Sequence, residues 1–291
     1  MTYSKFDIQA IGFEANQVLQ RNTSLEVYGT SSRGIYLQTD NDLTLFASSE
    51  DFHGPLTINL LGDPEGLLKI NPRTIAEITG NKIIFPEANL ELSIDKAEIW
   101  TPVAPPKFTG LRDDQRADLY LQIRTLVKDN PFFPLIEMVF TGISAPLPGF
   151  PEFFKRMKFI RKSFQSGKVS NITWEIENLL GVGPGLTPLG DDLILGILLG
   201  LNRGRGSSLS KSHLSQLNEA VIDLALYKTT RLSFSLLVCA ADSSADERLL
   251  KVLDGLLSGT KLEHNELHQM LAWGSTSGFA VLAGMILVLW K

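Results

Sequence analysis

Residues 181–200 read GVGPGLTPLGDDLILGILLG. Leu193, Ile194, Leu195, Ile197, Leu198 and Leu199 form an apolar run with almost no polar interruption, which predicts a buried helix. The run LILGILLGL (193–201) and the C-terminal FAVLAGMILVLW (279–290) both fall short of the roughly 18 apolar residues of a spanning helix, so they predict core helices and no membrane. Two adjacent carboxylates, Asp191 and Asp192, stand at the threshold of the first run, behind a loop rich in glycine and proline. Burying an unpaired carboxylate costs several kcal/mol, on the order measured in real proteins. The pair therefore needs a use.

The local spacing suggests one. Thr187 fits the N-cap of a helix and Pro188 its first position, where a missing N–H costs nothing. Gly190 then falls in the first turn, where glycine weakens a helix by about 1 kcal/mol against alanine. That predicts close approach of a ligand, with residue 190 facing a cavity. Gly181, Gly183 and Gly185 let the loop turn sharply and present its amides. A glycine-rich loop feeding a helix N-terminus suits an anion. Successive helical residues point about 100° apart, so the two acids are expected to differ in role. Asp191, on the side opened by Gly190, is assigned to ligand or metal, with Mg²⁺ as the candidate ion. Asp192 is assigned to loop amides or to an arginine such as Arg231. The same residues also suit a purely structural role, in which Asp191 satisfies loop amides and Asp192 pairs with an arginine.

A second stretch repeats the theme. GSTSGFAVLAGMILVLW (274–290) can be laid on GLTPLGDDLILGILLGL (185–201). Gly274 matches Gly185, Thr276 matches Thr187, Gly278 matches Gly190 and Gly284 matches Gly196. Two helix N-termini are expected to converge, their helices packed closely through Gly196, Gly200 and Gly284. Phe279 and Ala280 replace the acids in the second copy. A third piece, TTRLS (229–233), offers Thr230 and Ser233 as hydroxyl donors and Arg231 as a cation suited to phosphate or carboxylate; a helix cap with a surface arginine is the alternative.

The rest of the chain sets the frame. Its 291 residues, 44% hydrophobic and 20% charged, exceed one comfortable core and suit two domains. The net charge of −5 with scattered basic residues gives no nucleic-acid face. The single cysteine, Cys239 in LLVCAAD, excludes a disulfide within the chain, points to the cytoplasm and reads as a small core residue. The N-terminus lacks the apolar core of a signal peptide. No HxxxH, HExxH or CxxC spacing is present, so zinc is not expected. His213, His264 and His268 are expected in solvent, and His53 at a turn or a pocket wall.

Residues 6–20 suggest a short amphipathic helix. From SLEVYG (24–29) to AEIWTP (97–102) short β-forming segments alternate with turn residues, including DND at 40–42, HGP at 53–55 and EAN at 87–89. INPRTIAEI (70–78) is expected to be a short helix among them. These strands predict a small barrel or sandwich. TPVAPPKF (101–108) is a proline-rich connector. Beyond it helical spacing takes over for seven or eight helices, with NRGRGSSLSKS (202–212) a flexible loop. The chain is thus expected to be α+β, with a β-rich domain over 1–105 and a helical domain over 106–291.

GVGPGLTPLGDD, TTRLS followed by SADERLL, and GSTSG before a final apolar helix together resemble the AllH-like family, long catalogued as a domain of unknown function. The family is associated with one subunit of a bacterial oxamate carbamoyltransferase of purine (allantoin) catabolism. The resemblance is strong from about 175 to 291 and loose in the β-rich half. It implies carbamoyl transfer between carbamoyl phosphate and an amide such as oxamate, within an assembly of other subunits. Its loop and acids fall on Gly183, Gly185, Thr187, Pro188, Gly190, Asp191 and Asp192, and its threonine–arginine element on Thr230, Arg231 and Ser233. In the C-terminal element, which the family writes closer to GHTSG followed by an acid, Ser275 replaces the histidine and no acid follows. The implied roles are Asp191 or Asp192 as proton acceptor, and Thr187, Thr276, Ser277 and Gly278 at the ligand. A non-catalytic ligand-binding or regulatory subunit, and a stand-alone hydrolase or carboxylase-type enzyme on a small ureido compound, remain open beside it.

Overall fold

A computed structural model describes residues 3–39, 42–62, 65–143, 147, 149–150, 152–204 and 209–290. It divides into two compact units, residues 1–103 and 104–291.

Among the described residues the first unit contains nine strands: β1 (Ser4–Gly12), β2 (Ser24–Ser31), β3 (Gly34–Gln38), β4 (Leu45–Ser48), β5 (Thr57–Leu60), β6 (Ile75–Thr79), β7 (Lys82–Phe85), β8 (Leu90–Ser93) and β9 (Glu98–Trp100). Helix α1 (Phe13–Arg21) follows β1, and the short α2 (Glu65–Leu68) precedes β6. The strand order β5-β4-β3-β2-β6-β7-β8-β1 is closed by a β5–β1 pairing, giving an eight-stranded barrel with β9 added on β1. Closure falls to β1 because it turns partway along. Ser4–Asp7 run parallel to β8, Ile8–Ile11 pair antiparallel with β5 across an irregularity between Ile8 and Ala10, and Ala10–Gly12 run parallel to β9. An eight-stranded barrel is just wide enough to be filled by side chains. Val27, Ile35, Leu37, Ala47, Ile58, Ala76, Ile83 and Leu92 are all fully buried in this unit.

Two local expectations are corrected here. The helix expected over 6–20 begins only at Phe13, because Ile8 lies between exposed Asp7 and Gln9 and the chain from Ile8 to Ile11 is paired as strand. The helix expected over 70–78 is strand β6 from Ile75, preceded by Arg73 at a left-handed φ of 73°. Pairing of Ser24–Glu26 and Lys82–Ile84 on its two sides supplies its backbone partners. The turn expected at 40–42 lies outside the described residues at Asp40 and Asn41.

The second unit holds α3 (Asp113–Val127), α4 (Phe133–Thr141), α5 (Phe153–Ser166), α6 (Val169–Glu177), α7 (Leu189–Arg203), α8 (Lys211–Lys228), α9 (Arg231–Ala241), α10 (Glu247–Ser258), α11 (His264–Leu271) and α12 (Ser277–Leu289). These are ten α-helices among the described residues, against seven or eight expected. The flexible loop expected at 202–212 lies outside the described residues over 205–208, while Asn202 and Arg203 belong to α7 and Lys211 and Ser212 to α8. Among the described residues no helix is long and apolar enough to cross a membrane. Cys239 is buried, and His213, His264 and His268 are exposed.

Helices α7 and α12 form the most extensive helix pair of this unit. Contacts advance together along both: Gly196 faces Val281 and Met285, and Gly200 faces Met285 and Val288. The two helices therefore run parallel, with both N-termini at the same end. Their glycines allow backbone to touch backbone, as the repeat in the sequence implied.

Candidate functional site

The N-terminal ends of α7 and α12 meet beside the 181–188 loop. Thr187 does not cap α7, as the sequence suggested. Pro188 is the residue before the first helical position, and its carbonyl accepts from the Asp191 and Asp192 amides at 2.9 and 3.1 Å. The Thr187 hydroxyl turns away and meets Ser277 Oγ, in the first turn of α12, at 3.2 Å. Thr276 precedes α12 without capping it through its side chain.

Gly190 also departs from expectation. A methyl group there would stand 2.0 Å from the Leu179 carbonyl oxygen and 3.3 Å from Val182 Cβ. Its amide donates to the Val182 carbonyl at 2.9 Å. The glycine admits the preceding loop of the protein itself, not a cavity. Gly278 does the same in α12, where a methyl group would lie 2.1 Å from the Met270 carbonyl oxygen. Consequently the first-turn amides of Gly190 and Gly278 are spent on protein carbonyls, Val182 and Trp273.

The anion-ready groups lie earlier in the chain. Gly183 and Gly185 adopt left-handed φ values of 125° and 100°. Among the described residues the amides of Gly185, Leu186 and Thr187 find no backbone acceptor. Gly185 and Leu186 are exposed and Thr187 is half-buried. Consecutive amides of this kind form a concave donor surface. The loop is tied at its tip: Thr230 Oγ1 donates to the Leu186 carbonyl at 2.5 Å and accepts from the Ser233 amide at 3.1 Å, capping α9. That bond brings the start of α9, and with it Arg231, to the loop.

Both acids are buried, Asp191 at 2% and Asp192 at 1% exposure. They are not equivalent: the loop amide expected at Asp192 is bonded to Asp191 instead. Asp191 Oδ1 accepts from the Gly181 amide at 2.7 Å and Oδ2 accepts from the Thr229 hydroxyl. The Ser233 hydroxyl is buried beside it and favours its charged form, although it makes no hydrogen bond of good geometry. Burial outweighs these donors and holds the Asp191 carboxyl above the usual range.

Asp192, in contrast, has no loop amide, and Arg231 is not among the groups acting on it. Its neighbours are the hydroxyls of Ser277 and Thr187 and the charge of Asp191. Its Oδ2 is buried without any hydrogen-bond partner. Burial, reinforced by Asp191, pushes its carboxyl well above the ordinary range. The Gly181 bond matches the reading in which Asp191 satisfies loop amides, and the Ser277 donor from α12 could have been sought from the repeat, but nothing in the sequence marked Thr229 as a partner of Asp191.

A resident metal fits these donors poorly. Mg²⁺ prefers six oxygens in near-ideal octahedral geometry. Among the described residues no three His, Cys, Asp or Glu side chains gather to hold an ion. Asp191 has both oxygens engaged, which leaves the Asp192 carboxylate and two hydroxyls.

A family model described as Oxamate carbamoyltransferase subunit AllH matches residues 179–289, and over this stretch the chain is similar to that family. No curated protein and no solved structure matches the chain.

Proposed function

We propose that the chain is a subunit of an assembly that transfers a carbamoyl group, and that its 183–187 loop holds the anionic end of a small ligand such as carbamoyl phosphate. The observation that supports this most directly is one of extent. The matched residues, 179–289, contain the whole cluster: the glycine loop, Asp191 and Asp192, Thr229 and Thr230, and Ser277. The pathway we assign is allantoin-type nitrogen catabolism, in the cytoplasm.

Transfer to an amide such as oxamate has four requirements. The amide nitrogen bonds to the carbamoyl carbon, the C–O bond to phosphate breaks, phosphate leaves with the electron pair, and the nitrogen releases a proton. Free loop amides and a nearby arginine suit the phosphate. Hydroxyls held in a dry site suit the carbonyl oxygen as charge develops on it; Thr187 and Ser277 are the candidates, with Thr276 adjoining. A carboxylate is a weak base near neutrality unless burial raises its pKa. Asp192, with an uncommitted oxygen and a strongly raised pKa, suits the proton acceptor better than Asp191. No step is assigned to Mg²⁺, since the donors do not fit it.

A second reading, a ligand-binding subunit without chemistry of its own, is favoured by one observation: Asp191 is engaged on both oxygens. Calorimetry of the purified chain with carbamoyl phosphate and with inorganic phosphate tests the anion site. Binding that weakens at least tenfold in Arg231→Gln is expected, and absence of binding by the parent chain would refute the site. Transfer separates the two readings. In the assembly, Asp192→Asn should retain carbamoyl phosphate and lose transfer, whereas a purely binding subunit would lose both or neither.

A further inference from the structure

We propose that Thr187, Ser277 and Asp192 together recognise the –CO–NH₂ group of a ligand whose anionic end rests on the 185–187 amides. The inference deepens the reading of the loop as an anion site and rests on it.

Its starting point is the unpartnered oxygen. Asp192 is 1% exposed, yet its Oδ2 meets no donor among the described residues. Native proteins pair buried acceptors, so an orphan at a helix N-terminus asks for a donor from elsewhere. Four backbone amides at this point are already committed within the protein. The Gly190 amide is given to Val182, the Asp191 and Asp192 amides to Pro188, and the Gly278 amide to Trp273. What remains is the Asp192 carboxyl, whose Oδ2 can accept, and two hydroxyls, 3.2 Å apart, that donate or accept.

A primary amide matches that set. Its N–H donates to the carboxyl oxygen, and its carbonyl accepts from a hydroxyl. A carboxylate or phosphate has no proton to offer Oδ2, and it would add negative charge beside Asp191 and Asp192. Thr187 links the two ends. It belongs to the loop through its backbone and to the cluster through its hydroxyl, and it is half-buried, so it borders both solvent and Asp192. The site is single, because α12 carries Phe279 and Ala280 where α7 carries the acids.

Oxamate and oxalate are probes of equal size that differ in –CO–NH₂ against –COO⁻, and inorganic phosphate reports on the loop alone. Calorimetry of the full chain near neutral pH should show oxamate bound at least tenfold more tightly than oxalate. Asp192→Asn should abolish or invert that ratio, since asparagine presents N–H donors, while leaving phosphate affinity within about twofold. Ser277→Ala should narrow the ratio and serves as the second variant if Asp192→Asn folds poorly by circular dichroism. Equal affinity for oxamate and oxalate in the parent, or a preference that survives in both variants, would overturn the proposal. Phosphate binding with a ratio of one would sink the amide cluster and leave the loop reading standing. An Asp192-dependent preference for oxamate without phosphate binding would sustain amide recognition and refute the anion site. Binding of none of the three probes would overturn both.

Discussion

Gly196 and Gly284 meet reciprocally. A methyl group on Gly196 would lie 2.0 Å from the carbonyl oxygen of Val281, three residues before Gly284; one on Gly284 would lie 2.1 Å from that of Leu193, three residues before Gly196. The next contacts match too, Gly196 with the Met285 nitrogen and Gly284 with the Ile197 nitrogen. Each helix therefore sees the other as it is itself seen, which is the signature of a local two-fold axis running between parallel helices. Alanine at either position forces the backbones apart. Gly196→Ala and Gly284→Ala should each cost about 1–3 kcal/mol or more, as overpacked cores do. In the double variant the costs should be sub-additive, because the first separation relieves the second clash. Urea unfolding of the three variants measures this, and full additivity would mean the two contacts are independent.

Gly190→Ala should destabilise, although propensity alone would favour alanine by about 1 kcal/mol in a helix. The new methyl group would stand 2.0 Å from the Leu179 carbonyl oxygen, which is backbone and cannot swing aside. A net loss of about 1–3 kcal/mol is expected. A gain in thermal stability would show that the loop is free to move away.

The larger features were legible in the sequence for physical reasons. Period-two segments in the first third signalled strands, and the continuous apolar runs at 193–201 and 279–290 signalled buried helices. The paired glycines even indicated which helices touch. What failed depended on contacts distant in sequence. Propensity could not know that Ile75–Thr79 would be flanked by two strands and so become a third. The contacts of the two acids stayed open between alternatives because Asp191 bonds Gly181, ten residues away, and Thr229, thirty-eight away. Thr187 looked like a cap because caps are local; its hydroxyl instead serves Ser277, ninety residues on.

Thr230 joins two jobs in one hydroxyl, capping α9 at Ser233 and holding the loop at Leu186. Thr230→Ala should lose about 1 kcal/mol from the cap alone. It should also weaken phosphate binding, because the loop amides lose their anchor. Thr230→Ser keeps the oxygen and should restore both. If Thr230→Ala lowers stability without changing phosphate affinity, the tether to Leu186 does not organise the loop.

The two aspartates should part company when pH is varied. An unfolded aspartate titrates near pH 3.9, roughly, and both carboxyls titrate above the ordinary range in the folded chain. A carboxyl with a raised folded pKa binds its proton more tightly folded than unfolded. Its favourable contribution is complete below the unfolded pKa and is lost as pH rises through the folded one. For Asp192 burial dominates, the Ser277 and Thr187 hydroxyls offset it only in part, and Oδ2 has no donor among the described residues. Asp192→Asn cannot ionise, so its stability relative to the parent should rise as pH increases from about 4 through the raised folded pKa of Asp192. Asp191→Asn shares the trend but carries a separate cost. Its amide nitrogen would oppose a donor, either the Gly181 amide or the Thr229 hydroxyl, and leaving such a buried donor unmet costs about 1–3 kcal/mol. At neutral pH Asp191→Asn should therefore be the less stable variant, the opposite of the order expected from sequence spacing. Urea melts of both variants and the parent across this range decide it. If Asp192→Asn is the more destabilised at neutral pH, Asp192 has a donor that stabilises its charge, and the unpartnered oxygen at the meeting point of α7 and α12 loses its significance.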